Sequence, residues 1–336
     1  YLCLHRNQKA INIDLKTEKG KEAFFALVEK SDVVLDNFRP GVLDRLGIGY
    51  EVMKRVNPKI VSCSISSYGQ TGPYRERPGF DSNVQAISGR MSLTWEKDRL
   101  PMRSPGIADL GAAMAAAYGI ASALFARERT GMGEKIDISS MDVQISLLTN
   151  YAEEYLLSGK MREHEGEQDP HSPGFGTLRT KDGCIAIAAR RQRFWEALCK
   201  VLGRADLITD PKFTTPNKRS TNGAEVWSIL NEAFVTKTTD KWMEILVAGG
   251  VPCDPVNRVD RALNDPQVLH REMVITAEDR DGEKVKFTGN PIKMASVTDQ
   301  VFTYPAEKGQ HTEEVLTSIL GYSREKISQL KAESII

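Results

Sequence analysis

The chain has 336 residues, with 45 basic and 45 acidic side chains and a formal net charge of zero. Its 40% hydrophobic and 27% charged composition is that of a folded globular chain and excludes extended disorder. The charge balance argues against a nucleic acid or an anionic membrane as main partner, and the length predicts about two domains.

In chain order, Ile11-Asn12-Ile13-Asp14-Leu15 alternates apolar and polar residues and predicts a strand, with Lys16 at its end. A helix is expected over 17–30, with Ala23, Leu27 and Val28 on one face, followed by the short apolar strand Val33-Val34-Leu35. Residues 42–55 read as a helix interrupted by Gly47 and Gly49, and Ile60–Ile65 as a third strand. Strand and helix in alternation mean crossover units and a parallel, Rossmann-like α/β sheet. A long Ala-rich helix is predicted over 109–129, a strand over 135–139 and a helix over 141–157. The uncharged stretch Leu110–Ala126 falls short of the roughly 20 residues of a membrane span and reads as a buried helix.

Residues 1–150 are thus expected to form a large α/β domain. Residues 151–178 read as a linker or lid, its stretch 160–176 polar from Met161 to Pro173 and ending in Gly174-Phe175-Gly176. A smaller α+β domain is expected over 179–297, with a strand at 184–189 and helices at 193–202, 223–235 and 239–248. Thr238 or Thr239 is available as an N-cap of the last helix. Residues 274–297 read as a hairpin with Asp281-Gly282 at its tip. Residues 298–336 form a C-terminal tail, helical over about 312–333.

The five cysteines, Cys3, Cys63, Cys184, Cys199 and Cys253, make no C-x-x-C pair. No disulfide framework and no metal site is expected, and a reducing, cytoplasmic setting is the simplest reading. His164 and His171 fall in the linker and read as surface residues rather than a metal pair. Nucleotide-binding, metalloprotease and nucleophile-elbow motifs are missing. The opening Tyr1-Leu2-Cys3-Leu4 has neither an initiator Met nor a leader pattern, so an N-terminal truncation is expected.

In open parallel sheets, ligands bind beyond the carboxyl ends of strands. This rule selects the loop Asp36–Gly41 and the loop Ser66–Pro73. Lys16, Arg39 and Arg45 beside them suit a phosphate-bearing ligand, although surface cations are usually just solvated. A third candidate is Asp109, where a Pro-Gly loop enters the Ala-rich helix. A carboxylate there serves either as a plain helix cap or as a nucleophile.

Together these segments resemble the class III CoA-transferase (CaiB/BaiF) family. The resemblance rests on HRNQKAINIDLK at 5–16, on the block from Asp32 to Asp81, on Gly106–Ser139, and on GGVPCDPV and DPQV in the C-terminal half. It implies the family III CoA-transferase fold and an interlocked homodimer whose C-terminal tail returns to the large domain. The family carries about 60–70 further residues ahead of this point, the scale of one β-α-β unit with its lead-in. Coenzyme A, as acyl-CoA co-substrate, and a carboxylic acid are the implied ligands, with no nucleic acid or membrane partner. Asp109 matches the catalytic aspartate. Asn37 and Phe38 match the pair beside the CoA chain, and Ile13, Lys16 and Arg45 match CoA-contacting positions. Gly174 and Gly176 match the glycine-rich loop that covers the nucleophile.

The implied chemistry is CoA transfer from a donor such as succinyl-CoA through an aspartyl-CoA thioester. Asp109 attacks the donor thioester, and the freed thiolate then attacks the resulting anhydride. The acceptor carboxylate displaces CoA from the aspartyl thioester, and the CoA resolves a second anhydride. Related α-methylacyl-CoA racemases use a His in an R-x-G-H-D pattern. Here that stretch reads Arg77-Pro78-Gly79-Phe80-Asp81; Phe80 cannot carry a proton, and Asp81 is left to shape an acyl pocket. A third reading, a non-catalytic CoA-binding subunit, conflicts with the presence of Asp109. Arg90 or Arg103 could pair with a second carboxylate of a dicarboxylate substrate. Arg190, Arg191 and Arg193 read as a solvated cationic face.

Overall fold

A computed structural model, describing residues 4–96, 99–161, 166, 168–297 and 301–336, resolves the predicted alternation into two units. The first comprises Tyr1–Met91, Arg103–Lys160 and His270–Ile336, and the second Ser92–Met102 and Met161–Leu269. The expected boundaries therefore shift. Residues 270–297 join the first unit and 161–178 the second, while a short stretch near residue 100 leaves the first unit for the second.

In the first unit, α1 (Glu18–Glu29) begins where the Thr17 hydroxyl accepts from the Gly20 amide. β1 (Val33–Asp36), α2 (Val42–Leu46), α3 (Tyr50–Val56) and β2 (Val61–Ser66) follow. The helix expected over 42–55 is two helices, because Gly47 turns left-handed at φ 76° and closes α2. Next come α4 (Asp81–Ile87), a 3-10 turn at Arg90–Thr94, α5 (Ile107–Thr130), β3 (Lys135–Ser139), α6 (Ser140–Ser146) and α7 (Asn150–Ser158). The single helix expected over 141–157 breaks at Thr149, whose φ is 47°.

The sheet is parallel, in the order β1-β2-β3. β2 alternates Val61, Cys63 and Ile65 with three buried serines, Ser62, Ser64 and Ser66, so its two faces differ in chemistry. Val28, Met53 and Ile60 form a core with Phe24, Phe25 and Val34. α5 packs through Ala108, Ala112 and Ala116; near its middle, a Cβ on Gly119 would lie 3.5 Å from Ile136.

Two expectations fail here. The alternating residues 11–15 form no strand, because their backbone is partnered by the tail instead of a neighbouring strand. The Asp14 amide donates to the Ile335 carbonyl at 2.8 Å, the Asn12 amide to the Thr312 hydroxyl at 2.9 Å, and the His311 amide to the Ala10 carbonyl at 2.9 Å. Nor is α5 a buried helix. Its 24 residues are long and apolar enough to cross a membrane by length and composition, only 17% of its most apolar window is buried, and Leu110, Met114, Tyr118 and Phe125 stand exposed.

In the second unit, β4 (Phe175–Arg179), β5 (Cys184–Ala188) and β6 (Cys253–Pro255) form an antiparallel sheet. β4 lies within the segment expected to be a linker. The helices are α8 (Gln192–Val201), α9 (Asp206–Thr209), α10 (Pro216–Thr221), α11 (Gly223–Phe234), α12 (Thr239–Ala248), α13 (Val259–Ala262) and α14 (Pro266–His270). Trp195, Leu198, Phe213, Trp227, Leu230 and Phe234 pack with Leu178, Ile185 and Ile187 of the sheet. Thr238 rather than Thr239 caps α12, because the Thr239 hydroxyl pairs with Thr180 at 2.6 Å.

The chain returns to the first unit with β7 (Val274–Glu278) and β8 (Lys284–Thr288), then α15 (Thr312–Ser318) and α16 (Arg324–Ala332). The hairpin turns at Gly282, φ 81°. Its membership of the first unit has a local cause: Phe287 packs edge-on against Tyr304, and the Arg6 guanidinium lies 5.8 Å from the Phe287 ring. The tail expected to be one helix is two, separated at Gly321, φ 66°.

Candidate active site

The two candidate loops, Asp36–Gly41 and Ser66–Pro73, follow the carboxyl ends of β1 and β2. Asn37 and Phe38 follow directly on β1. The Asn37 side chain donates to the Ile65 carbonyl at 2.9 Å, tying the first loop to the end of β2. The Phe38 amide donates to the Asp36 carboxylate at 3.0 Å, and Phe38 is 47% exposed. Arg45 lies on α2. Its Nη1 would lie 3.2 Å from a Cβ on Gly41, and Nη2 of Arg75 would lie 3.6 Å away. The structure therefore brings Arg45 and Arg75 together over Gly41. Arg75 was not singled out from sequence; thirty residues beyond Arg45, it is placed there by the loop after β2. Ile13 is half-buried and Lys16 exposed, both on the segment entering α1.

The second loop folds back onto itself. The Ser67 hydroxyl donates to the Gly79 carbonyl at 2.9 Å. A Cβ on Gly79 would lie 2.8 Å from Ser67 Cβ and 2.9 Å from the Tyr68 ring, so only glycine fits this approach. Tyr68 in turn packs with Val84 and Ala108, which carries the loop to the start of α5.

Asp109 occupies the first turn of α5. The helix opens on Gly106 at φ 77° with no side-chain cap of its own. The missing cap comes from α4. One Asp81 oxygen accepts from the Ala108 amide at 2.9 Å, and the other from the Gly106 amide at 3.3 Å and from the Gln85 side chain at 2.7 Å. Gln85 is buried and also clasps Ser104, donating to its carbonyl at 2.8 Å and accepting from its amide at 3.0 Å. From α6, the fully buried Gln144 donates to the Ile107 carbonyl at 3.2 Å. Asp81 is thus taken up by the start of α5. A helix entered through glycine without Ser, Thr, Asp or Asn at its N-cap was the available signal that the cap comes from elsewhere.

Among the described residues, no hydrogen bond or ion pair holds the Asp109 carboxylate. Its pKa is raised, first by loss of water around the carboxyl and then by the neighbouring Asp81 carboxylate. A helix N-terminus ordinarily favours the ionised form, but Asp81 already occupies the amides that would supply that help. The outcome is a solvent-reachable, unpaired carboxylate more basic than an ordinary aspartate.

Phe80 is 75% exposed, and its amide donates to the Asn83 side chain at 3.2 Å as α4 begins. Gly174 and Gly176 belong to the second unit, flanking the start of β4. Gly174 adopts φ 80°, and its carbonyl accepts from the Ala189 amide at 2.7 Å. Arg90 lies 3.4 Å from the Leu147 carbonyl, while Arg103 is exposed. His171 is exposed, and His164 lies outside the described residues. Among the described residues, no group of three His, Cys, Asp or Glu side chains is placed to hold a metal ion.

Residues 1–312 match the family model described as CoA-transferase family III. The chain is 32% identical, over its full length, to succinyl-CoA:glutarate CoA-transferase of Homo sapiens, of which it spans 77%. It is 33% identical to succinyl-CoA–D-citramalate CoA-transferase of Chloroflexus aurantiacus, over 99% of this chain and 83% of that protein. The solved structure of a CaiB/BaiF family protein from Brucella suis matches with a TM-score of 0.82 at 34% identity, covering 94% of this chain and 82% of that one. The fold and the sequence together define a CoA-thioester enzyme of mixed α/β architecture. The chain belongs to CoA-transferase family III. It is a CoA-transferase, moving CoA between an acyl-CoA and a carboxylic acid.

Proposed function

We propose that Asp109 is the nucleophile of the transfer and that the acids exchanged are short dicarboxylates. The observation that carries the first part is the unpaired Asp109 carboxylate, raised in pKa, at a helix start whose amides are held by Asp81. Raised basicity strengthens a carboxylate nucleophile, provided it stays ionised at neutral pH. An Asp109 oxygen attacks the thioester carbonyl; the C–S bond breaks, leaving an aspartyl anhydride and CoA thiolate. The thiolate attacks the aspartyl carbonyl, releasing the donor acid and forming an aspartyl-CoA thioester. The acceptor carboxylate repeats the sequence in reverse. Arg45 and Arg75 neutralise the CoA phosphates, with Lys16 and Arg39 as further cations, while Phe38, Asn37 and Ile13 receive the uncharged part of the molecule.

The second part rests on the relatives, whose names specify glutarate, citramalate and succinate. A homodimer accounts for the exposed apolar residues Leu110, Met114, Tyr118 and Phe125 on α5 and Leu156 and Leu157 on α7. The cytoplasm, as a reducing compartment, suits the free cysteines.

The test is chemical trapping. The protein is incubated with succinyl-CoA, quenched with hydroxylamine and mapped by mass spectrometry. A hydroxamate at Asp109 is expected, and none in Asp109→Asn. Full turnover by Asp109→Ala would sink the assignment.

A further inference from the structure

Residues 10–16 and the C-terminal tail are joined through a side chain that no step of the transfer uses. The His311 amide donates to the Ala10 carbonyl at 2.9 Å, and the Ala10 amide donates back to His311 Nδ1 at 3.2 Å. The first bond runs backbone to backbone, while the second ends on the imidazole. A backbone N–H can only donate, so Nδ1 is bare and the ring carries its proton on Nε2. The contact thus fixes both the tautomer and the neutral state of His311. A protonated imidazole is a donor at both nitrogens, and its Nδ1–H would face the Ala10 N–H. Both residues are half-buried, so the freed amide is partly shut off from water.

The carboxylates near the ring are already taken. Glu314, three residues along α15, interacts electrostatically with His311, but it is paired with Lys9 of the N-terminal segment. Glu313 is paired with Lys331 of α16, and Glu307, ahead of the helix, with Arg280. His311 is also the N-cap of α15, yet its side chain makes no bond to that helix. Its ring serves the N-terminal segment instead. That segment has further anchors downstream. The Asn12 amide donates to the Thr312 hydroxyl at 2.9 Å and the Asp14 amide to the Ile335 carbonyl at 2.8 Å. At the entry to α1, the Asp14 carboxylate accepts from the Lys16 amide at 3.0 Å, and the Asp14 carbonyl from the Thr17 hydroxyl at 2.9 Å. Lys16 is therefore held by α1, whereas Ile13 follows directly on the stretch that the tail holds.

We propose that His311 is a positioning residue for CoA binding: its neutral ring holds the Ala10 amide and with it the course of residues 10–13, and protonation of the ring releases that end and weakens CoA binding. The clasp follows from the geometry; its effect on CoA rests on the placing of Ile13 beside the ligand under the CoA-transfer reading. The effect is a few-fold, the scale of one hydrogen bond, because the bonds of Asn12 and Asp14 remain.

The experiment measures amide hydrogen exchange of the N-terminal peptide, and CoA affinity by calorimetric titration, at pH 7.5 and 5.5, on either side of the ordinary histidine range. Wild type, His311→Asn and His311→Ala are compared, with thermal melts as a folding control. Asn places Oδ1 as many bonds from Cα as Nδ1 and does not titrate. In wild type, protection of residues 10–13, corrected for intrinsic exchange, falls about fivefold or more on acidification. His311→Asn keeps it at both pH values and His311→Ala lacks it at both. The Kd for CoA rises about threefold more in wild type than in His311→Asn, whose own change measures titration of the CoA phosphates. At pH 7.5, His311→Ala raises KM for succinyl-CoA about threefold with kcat within twofold, and His311→Asn restores KM. Protection in His311→Ala within twofold of wild type at pH 7.5, or an equal acid loss in His311→Asn, overturns the clasp. Exchange that follows the ring with CoA affinity unmoved overturns the coupling. If Ile13→Ala then also binds CoA as wild type does, the placing of Ile13 under the CoA-transfer reading falls with it; an Ile13→Ala that weakens CoA leaves that reading intact.

Discussion

Replacing Asp81 separates two effects that the structure assigns to one carboxylate. Asp81 accepts from the Ala108 amide at 2.9 Å, the Gly106 amide at 3.3 Å and the Gln85 side chain at 2.7 Å. In Asp81→Ala the Gly106 bond lost is already long, and the Gln85 amide keeps its bond to Ser104. Asp81 is only half-buried, so water reaches the freed amides. The loss should therefore resemble removal of a helix cap, about 1–2 kcal/mol, rather than the full cost of three orphaned donors. At about 2–4 °C per kcal/mol for a unit of this size, Tm falls by about 2–8 °C. Asp81→Asn keeps an acceptor oxygen and should cost less than about 1 kcal/mol. Both variants remove the charge that helps raise the Asp109 pKa, so the acid limb of kcat/KM moves to lower pH in both. It does not return to the ordinary aspartate value of 3.8, because burial is the larger cause and remains. Scanning calorimetry and pH-rate profiles measure the two effects separately. An Asp81→Ala protein melting within 1 °C of wild type (roughly the effect of a few tenths of a kcal/mol) would refute the capping argument. An acid limb that stays put or moves upward would refute the electrostatic one.

Other outcomes follow from single groups. Ionising Asp109 costs the fold, since its folded pKa lies above the ordinary 3.8; wild type loses stability as pH rises through that window. Asp109→Asn should therefore melt above wild type at pH 7, with the gap closing below pH 3.8, while kcat drops by at least about 10³-fold; equal melting at pH 7 would contradict the pKa direction. Burial pushes the Cys63 thiol up to about 11 and the Cys199 thiol up to about 12. At pH 8, a chromogenic disulfide should label the half-buried Cys184 well before these two, with Cys253 slowed because burial and Asp254 also raise its pKa, and fast native labelling of Cys63 would argue against its burial. Arg219→Met strips donors from the Phe213 and Arg190 carbonyls and from Gln192, at a cost of about 2–4 kcal/mol after the relief of burying a charge. The described tryptophans lie in the second unit, so fluorescence during urea unfolding should report this as a lower midpoint, and an unchanged midpoint would count against it.

What could be read from the sequence was what local pattern determines. The apolar run Val33-Val34-Leu35, the alternation in β2 and the amphipathic spacing of Trp195, Leu198 and Cys199 in α8 each fold as their periodicity predicts. The errors came from long-range partners. Residues 11–15 alternate like a strand, but their hydrogen bonds go to the tail three hundred residues on. β4 was hidden because Phe175-Gly176-Thr177-Leu178-Arg179 carries little strand signal without β5 beside it. α5 looked buried because apolar content does not say which face meets the protein. The site was legible to a similar degree. Asp109 announced itself by its position at a Pro-Gly helix entry and by the family resemblance. Asp81, Gln85 and Gln144 hold that entry from α4 and α6, and nothing in local spacing reveals a cap supplied by another helix. Arg75 escaped for the same reason, since its nearness to Arg45 exists only once the loop after β2 has folded.

The bonds joining residues 10–14 to residues 311–335 also set a timetable for the chain during synthesis. At about 5–20 residues per second, the segment that leads into α1 emerges roughly 15–65 s before the tail it must bind. Through that interval its alternating apolar residues have no native partner, while the second unit, encoded mostly between the two, has time to fold. A chaperone that holds exposed apolar segments should therefore favour nascent chains ending before residue 311, and release them once α15 and α16 have cleared the ribosome.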